Sequence, residues 1–368
     1  MYTEEHLYSI ALRECLLIGD INFSKLVNTF GSAKNAWFQA KKEYQKVDGI
    51  GFKTVMDIGK TEHLQFAEKE LQFCERNHIQ ISLKHLNQLP SLLNECDDAP
   101  SVLYHKGQLE LSNPISIIGT RNISPYGKKF IKDFFEETKS FNFCSVSGLA
   151  LGTDKEVHEQ SINCNIKTIA ILAHGFTTLY PSKNRKLSEK ILEENGSLVT
   201  EFNSSRKPDR ENFLQRNRII AGLSPSTIVV ETGFGGGSIS TATYANNYNR
   251  DVYALPGKIT DPYSQGCNHL IFQNKAAAIS SIKNLIDSLG FNPSSLKMEE
   301  LFPIPTEAIQ LTENQSLIYH TILHNSQISL DDLAQKISIP THKILPLILE
   351  LELLGKIKSL SGRQFVVI

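Results

Sequence analysis

The 368-residue chain predicts an α/β protein built on a doubly wound, mostly parallel sheet, with a helical region before it and a small helix–strand unit after it. Two observations predict the sheet. From residue 101 to about 290, short β-rich apolar runs alternate with stretches in helical pattern, such as SPYGKKFIKDFFEETKS. The runs are nearly continuous in apolar residues, as expected of strands covered on both faces. Repeated strand–helix–strand order then implies right-handed crossovers and parallel pairing. A third observation is the linker-like stretch FNPSSLKMEELFPIPTE (291–307), whose three prolines separate off the C-terminal unit.

The strand candidates are SVLYH (101–105), ISIIG (115–119), FCSVS (143–147), TIAILA (168–173), SLVTEF (197–202), TIVVE (227–231) and VYALP (252–256). Residues 1–98 read as a helical N-terminal domain, SAM- or helix-hairpin-helix-like, through LYSIALRECLLI, FSKLVNTFGSAKNAW and QFAEKELQFCERN. Gly31 marks a helix stop, and Gly49 and Gly51 in VDGIGFKTVMDIG mark a tight turn between helices. Such a turn serves either as a phosphate-holding hairpin or as a plain connector. Residues 99–290 form the Rossmann-like domain and 308–368 a third unit. There, NQSLIYHTILH, SLDDLAQKI and THKILPLILELELLG precede strands KIKSL and QFVVI around Ser361-Gly362, the order of a winged helix.

Composition excludes several classes. Hydrophobic residues at 40% and charged residues at 21% describe a soluble globular chain with material for a large core. No apolar run reaches the ~18–20 residues of a membrane span. The N-terminal MYTEEHLYSIALREC carries acids where a secretory signal is basic, so mature structure is expected from the start. Cys15, Cys74, Cys96, Cys144, Cys164 and Cys267 form no CxxC pair. That fits a reducing cytoplasm and argues against disulfides and a structural zinc site. No metal and no cofactor are expected. A net charge of −1 means that any bound polyanion is held by placed residues, not by the field of the whole molecule.

In a doubly wound sheet, ligands bind beyond the carboxyl ends of the strands. The first strand opens into Gly119-Thr120-Arg121, and FCSVS opens into Ser147-Gly148-Leu149. TIAILA leads through His174-Gly175 to Tyr180-Pro181-Ser182-Lys183-Asn184-Arg185-Lys186. TIVVE leads to Thr232-Gly233-Phe234-Gly235-Gly236-Gly237-Ser238. That last loop points to phosphate: glycines let a ligand approach the main chain, and the helix behind presents free amides, with Ser238 expected as its cap. Nicotinamide binding is opposed by the missing GxGxxG and ribose-binding acid, and no P-loop occurs.

Basic residues cluster at Arg121, Lys128, Lys129 and Lys132; at Lys183, Arg185 and Lys186; and at Arg206, Lys207, Arg210, Arg216 and Arg218. The three lysines 128, 129 and 132 read as a solvated helix face. Arg121 and Lys183 follow strand ends and face the rim of the glycine loop. Tyr126, Phe176, Tyr180, Phe213 and Phe234 interleave with them, one or two as stacking platforms, which is how unpaired strands are held. Asp154 and His158 share a helix face that a metal or general base could use, but no third ligand is evident and Asp154 near a helix start reads as an acid that complements the helix dipole. Glu231 is the better catalytic candidate. With the 233–238 loop it defines an alternative, a nucleotide-processing hydrolase similar to the lysine-decarboxylase-like phosphoribohydrolases. Their acid follows the glycines, whereas Glu231 precedes them.

The motifs ISIIGTRNISPYG, SVSGLALGTDKEVH, TIAILAHGF…LYPSKNRKLSEKI, LVTEF…NFLQRNRIIAGLS, VVETGFGGGSISTATYA and VYALPGKITDPYSQGCNHLI occur in the order and spacing of the DNA-processing protein A (DprA, or Smf) family. The resemblance spans about 100–285. It implies a non-enzymatic, cytoplasmic binder of single-stranded DNA that loads RecA recombinase during natural transformation, with no membrane partner and a homodimeric state. By the resemblance, Arg121 is the DNA-contacting arginine and the second basic position is Lys183 or the neighbouring Arg185, with Asn184 between them also expected at the DNA. Gly119, Thr120, Ser147, Gly148, Gly237 and Ser238 form the phosphate pocket, and Arg216, Asn217 and Arg218 form the RNR segment, its arginines partly structural. The chain departs from the family at ETGFGGGS, which usually reads EA-x2–3-SGS, and at LAHGF, which usually reads LGTGL. Pro346 falls inside the expected recognition helix, which carries few basic residues, so duplex reading is not expected there.

Overall fold

A computed structural model describes residues 2–291, 311–325, 328–360 and 364–367. These fall into two compact units, one within 1–296 and one within 297–368.

The first unit opens with α1 (Glu4–Glu14), α2 (Asp20–Phe30), α3 (Ala33–Trp37), α4 (Phe52–Asp57) and α5 (Thr61–Arg76). Gly31 ends α2 in the left-handed region, as its place in the sequence predicts. Gly49 is left-handed too, and Gly51 caps α4. Lys25 ties that turn to α2 by donating to the Asp48 carbonyl at 3.0 Å.

The sheet begins earlier than the helical spacing indicates, with β1 (Gln80–Leu83). After it come α6 (Ser91–Asn94), β2 (Val102–Gly107), β3 (Pro114–Ile118), α7 (Pro125–Thr138), β4 (Cys144–Ser147), α8 (Thr153–Asn163) and β5 (Lys167–Ile171). Next are α9 (Arg185–Glu193), β6 (Ser197–Thr200), α10 (Arg210–Gly222), β7 (Ser226–Val229) and α11 (Gly237–Asn247). The unit closes with β8 (Asp251–Ala254), α12 (Gln265–Phe272), β9 (Ala277–Ala278) and α13 (Ile282–Ser288). All seven strand candidates are strands; β1, whose QISL has no continuous apolar run, and β9, only two alanines long, are not among them.

The strand order is β1-β2-β6-β5-β4-β3-β7-β8-β9. Strands from β6 to β9 pair in parallel, while β2 joins β6 and β1 joins β2 antiparallel. The chain therefore grows from β3 outward to β6 and returns to lay β7 on the other flank of β3. Helices cover both faces. Ile115 and Ile117 pack with Phe130, Phe134 and Phe135 of α7, whereas Ile118 and Val229 share a cluster with Ile219 and Ile220 of α10. Double burial explains the unbroken apolar strands, and the reversal between β3 and β7 opens a crevice at their carboxyl ends.

The second unit comprises α14 (Glu313–His324), β10 (Ile328–Ser329), α15 (Leu330–Ile337), α16 (Thr341–Leu353), β11 (Ile357–Leu360) and β12 (Gln364–Val367). Its strands pair antiparallel in the order β10-β12-β11, the winged-helix arrangement. Ile318, Leu333, Ile344, Ile348 and Phe365 form its core. Helix α16 runs unbroken through Pro346. The hairpin turn expected at Ser361-Gly362 and the linker beyond Phe291 lie outside the described residues.

Candidate nucleic-acid interface

The crevice between β3 and β7 is a cleft of about 780 Å³. One wall is the Gly119-Thr120-Arg121 turn, the opposite wall is the glycine loop, and the N-terminal half of α10 forms the floor. The Thr120 amide donates to the Glu231 carbonyl at 2.6 Å, which locks the two strand ends together.

The glycine loop owes its shape to two residues. Gly235 sits at φ +72, and a Cβ on Gly236 would collide with the Thr232 hydroxyl. Gly236 is the N-cap of α11, and no side chain caps that helix. Ser238 therefore does not cap it, contrary to the sequence reading. It is the second helical residue, past the point where its hydroxyl reaches the first amides, and it lines the cleft instead. The uncapped end leaves main-chain donors and the positive dipole end directed at the cleft. Asn217 fixes the loop from below, donating to the Gly237 carbonyl at 3.2 Å and to the Ser240 hydroxyl at 2.8 Å.

Helix α10 starts at Asp209, whose carboxylate caps it by accepting from the Glu211 amide. Phe213 lies one turn in. The Arg121 guanidinium stands 5.2 Å from its ring centre and that of Arg216 stands 5.8 Å away. Tyr180 meets the same ring edge-on at 5.8 Å. Arg121 is exposed, whereas Arg216 is buried, donating to the Gly148 carbonyl at 2.7 Å and to the Ile171 carbonyl. Burial lowers Arg216 to about 10, so it stays cationic at neutral pH. Burial raises Asp154 on the same wall, against the lowering pull of Arg216. Among the described residues no acid pairs with Arg121, Lys183, Arg185 or Arg210.

The tertiary structure sorts the remaining candidates. Gly119, Thr120, Arg121, Arg216, Asn217, Gly237 and Ser238 line the cleft together. Lys183 and Arg185 are exposed on the segment that follows the cleft residue Tyr180, but neither lines the cleft. Asn184 does not line the cleft: it is buried and donates to the Leu149 and Ala150 carbonyls, anchoring that segment. Ser147 is fully buried with its hydroxyl donating to the Ile117 carbonyl. Gly148 lies against the Arg216 guanidinium, where a Cβ has no room. Both shape the pocket from beneath. Arg218 points away from it, pairing with Glu201 and with Asp20 at 3.2 Å and donating to the Asp98 carbonyl. It ties α10 to the helical region, the structural role its motif allowed.

The catalytic candidates disperse. Glu231 is buried, with its carboxylate accepting from the Ser124 amide at 2.8 Å and from the Ser124 hydroxyl, which itself caps α7. His158 is buried against the Thr168 hydroxyl at 2.6 Å, away from the cleft that Asp154 lines, and burial lowers it to about 3. Lys129 pairs with Asp133 on the solvated face of α7, as expected. His174, the departure in LAHGF, accepts from the Tyr180 amide at 3.1 Å and positions the tyrosine. Sequence reasoning passed over Arg210 and Tyr263 as site residues, and both line the cleft. The basic run RKPDR ahead of α10 was the available signal for Arg210.

Comparisons with known proteins give the family of the chain. Residues 80–290 match the model of DNA recombination-mediator protein A, and residues 305–363 match the DprA winged helix domain. The Smf protein of Synechocystis sp. is 34% identical over 303 residues, covering 80% of this chain and 75% of the relative. The X-ray structure of DNA processing protein A from Streptococcus pneumoniae superposes with a TM-score of 0.65 at 26% identity, over 78% of this chain and 98% of that one. A Helicobacter pylori DNA processing protein A structure, described for its single-stranded DNA binding mode, gives 0.52 at 30% identity over 58% and 97%. The chain belongs to the DNA recombination-mediator protein A, or DprA/Smf, family.

Proposed function

We propose that the chain is a non-enzymatic recombination mediator that holds single-stranded DNA in the cleft and delivers it to a RecA recombinase. The observation that carries this reading is the stack of Arg121, Phe213 and Arg216 facing the uncapped end of α11. Cations and main-chain amides suit backbone phosphates, while an aromatic face suits a base whatever its identity. Arg210, Lys183 and Arg185 continue the basic track at the rim. The single-stranded DNA named for the Helicobacter relative supports the same ligand here. The hydrolase alternative loses support because Glu231 is engaged with Ser124 and does not line the cleft.

RecA delivery, action in natural transformation, a homodimeric state and a cytoplasmic location are part of the proposal and rest on the family. Among the described residues no helix is long and apolar enough to cross a membrane. The deciding experiment is fluorescence anisotropy with single-stranded and duplex oligonucleotides at two salt concentrations. Tight, steeply salt-dependent binding of the single strand is expected, and equal or weaker affinity than for duplex refutes the reading. RecA filament assembly on strands coated with single-strand-binding protein, with and without this chain, tests delivery.

A further inference from the structure

We propose that Cys15, Asp57 and His63 form a binding site for a zinc-class divalent cation in the helical N-terminal region, apart from the cleft. One donor atom from each lies within 4.8 Å of the others, and the three side chains are buried or nearly so. They arrive from three elements. Cys15 ends α1, Asp57 is the last residue of α4, and His63 is in the first turn of α5. No local spacing announces such a set: the missing CxxC pair argues against a zinc site built from local sequence, whereas these three ligands become neighbours only in the fold.

The donors carry the chemistry of the cation. Thiolate, carboxylate and imidazole together are the mixed ligand set of zinc and cobalt, and they suit magnesium or calcium poorly. The thiolate and the carboxylate bring two negative charges to the ion, and the carboxylate's is shared with the Lys60 ammonium. Donors of a tetrahedral zinc site stand roughly 3.5 Å apart, so closing this set needs side-chain shifts of about 1 Å. His63 Nε2 already stands 3.0 Å from Asp57 Oδ2.

The surrounding contacts fit outer-sphere roles. The Leu16 amide donates to Asp57 Oδ2 at 2.7 Å, and Lys60 holds Oδ1. Such contacts orient a ligating carboxylate. The Cys15 thiol donates to the Ala11 carbonyl at 3.3 Å. Three protein ligands leave the fourth tetrahedral position to water. A bound ion would clamp α1, α4 and α5 together. It would also brace α5, whose Glu70 accepts from the Ser204 amide and hydroxyl, both at 2.6 Å, ahead of the cleft residue Arg210.

The test uses the full chain, stripped with a chelator and titrated with cobalt(II). A near-ultraviolet thiolate-to-cobalt band saturating at about one ion per chain is expected, and zinc should displace it. C15S and H63A should abolish the band, while C74S, which removes another buried thiol of the same region, should retain it. Affinity should fall by more than the ~10–100-fold that loss of an outer-sphere partner costs. Zinc should raise the melting temperature of the wild type and of C74S. Absence of the band in the wild type, or its survival in C15S, overturns the site. Should C15S fail to fold, the wild-type cobalt spectrum decides alone.

Discussion

Arg121 and Phe213 meet across the cleft, guanidinium over ring at 5.2 Å, although 92 residues of chain separate them. The contact joins a loop at the end of β3 to the first turns of α10. It holds one cation where it stays exposed and partly shields one aromatic face from water. On the proposed function, a base entering the cleft would meet both at once.

Phe213→Ala should therefore weaken single-stranded DNA binding by about 1–3 kcal/mol, the contribution of one stacked base. Phe213→Tyr should restore most of it. Anisotropy titrations of the three proteins on one oligonucleotide check this, and unchanged affinity in the alanine variant removes the platform.

Replacing Arg121 and Lys183 together by Ala should reduce affinity for every sequence tested. At ~0.7 per neutralised phosphate, the slope of log affinity against log salt should fall by about 1.4. A lowered affinity at unchanged slope would show that neither residue touches phosphate.

Arg218→Ala should behave differently. Removing one partner of a buried ion pair leaves Glu201 uncompensated and typically costs about 3–5 kcal/mol. Urea unfolding should register that loss, while the folded fraction binds DNA as the wild type does. The other RNR arginine, Arg216, is buried as well but lines the cleft, so its replacement should lower DNA binding along with stability.

Gly148→Ala should act on DNA binding without any contact to it. The added methyl displaces the Arg216 guanidinium, at an overpacking cost of about 1–3 kcal/mol. Both the thermal midpoint and the anisotropy signal should drop.

His158 sets an expected pH dependence. Burial lowers its folded-state value to about 3, below the unfolded 6.5, so the unfolded chain takes up the proton first. Its contribution to stability is complete above pH 6.5 and is lost as pH falls from there toward about 3. His158→Gln should be less acid-sensitive than the wild type across that window in urea titrations. Parallel curves would show that the imidazole titrates normally.

Much of this architecture was legible in the chain. The seven apolar runs, the helices between them and the glycines that stop or bend them follow from local pattern. Two edge strands did not: Gln80–Leu83 lacks a continuous apolar run, Ala277–Ala278 is two weakly strand-forming residues, and both owe their state to a neighbouring strand. Asn217 and Arg218 are adjacent in sequence, yet one anchors the glycine loop and the other pairs with Glu201 and Asp20. Helix geometry sends neighbours about 100° apart, so a motif places both on α10 but does not say which faces the ligand.

By itself the sequence determined the alternation of elements, and with it the doubly wound class and the rim where a polyanion must be held. Periodicity and glycine placement are local properties, set by backbone sterics and by which faces are apolar. Only the tertiary structure decided which side chains meet there. It turned Ser147, Asn184 and Arg218 into supports, engaged Glu231 with Ser124, and brought Arg121 to Phe213 and Cys15 to His63. Those outcomes depend on crossings between distant segments, and a linear pattern carries no distance between residues that the fold alone makes neighbours.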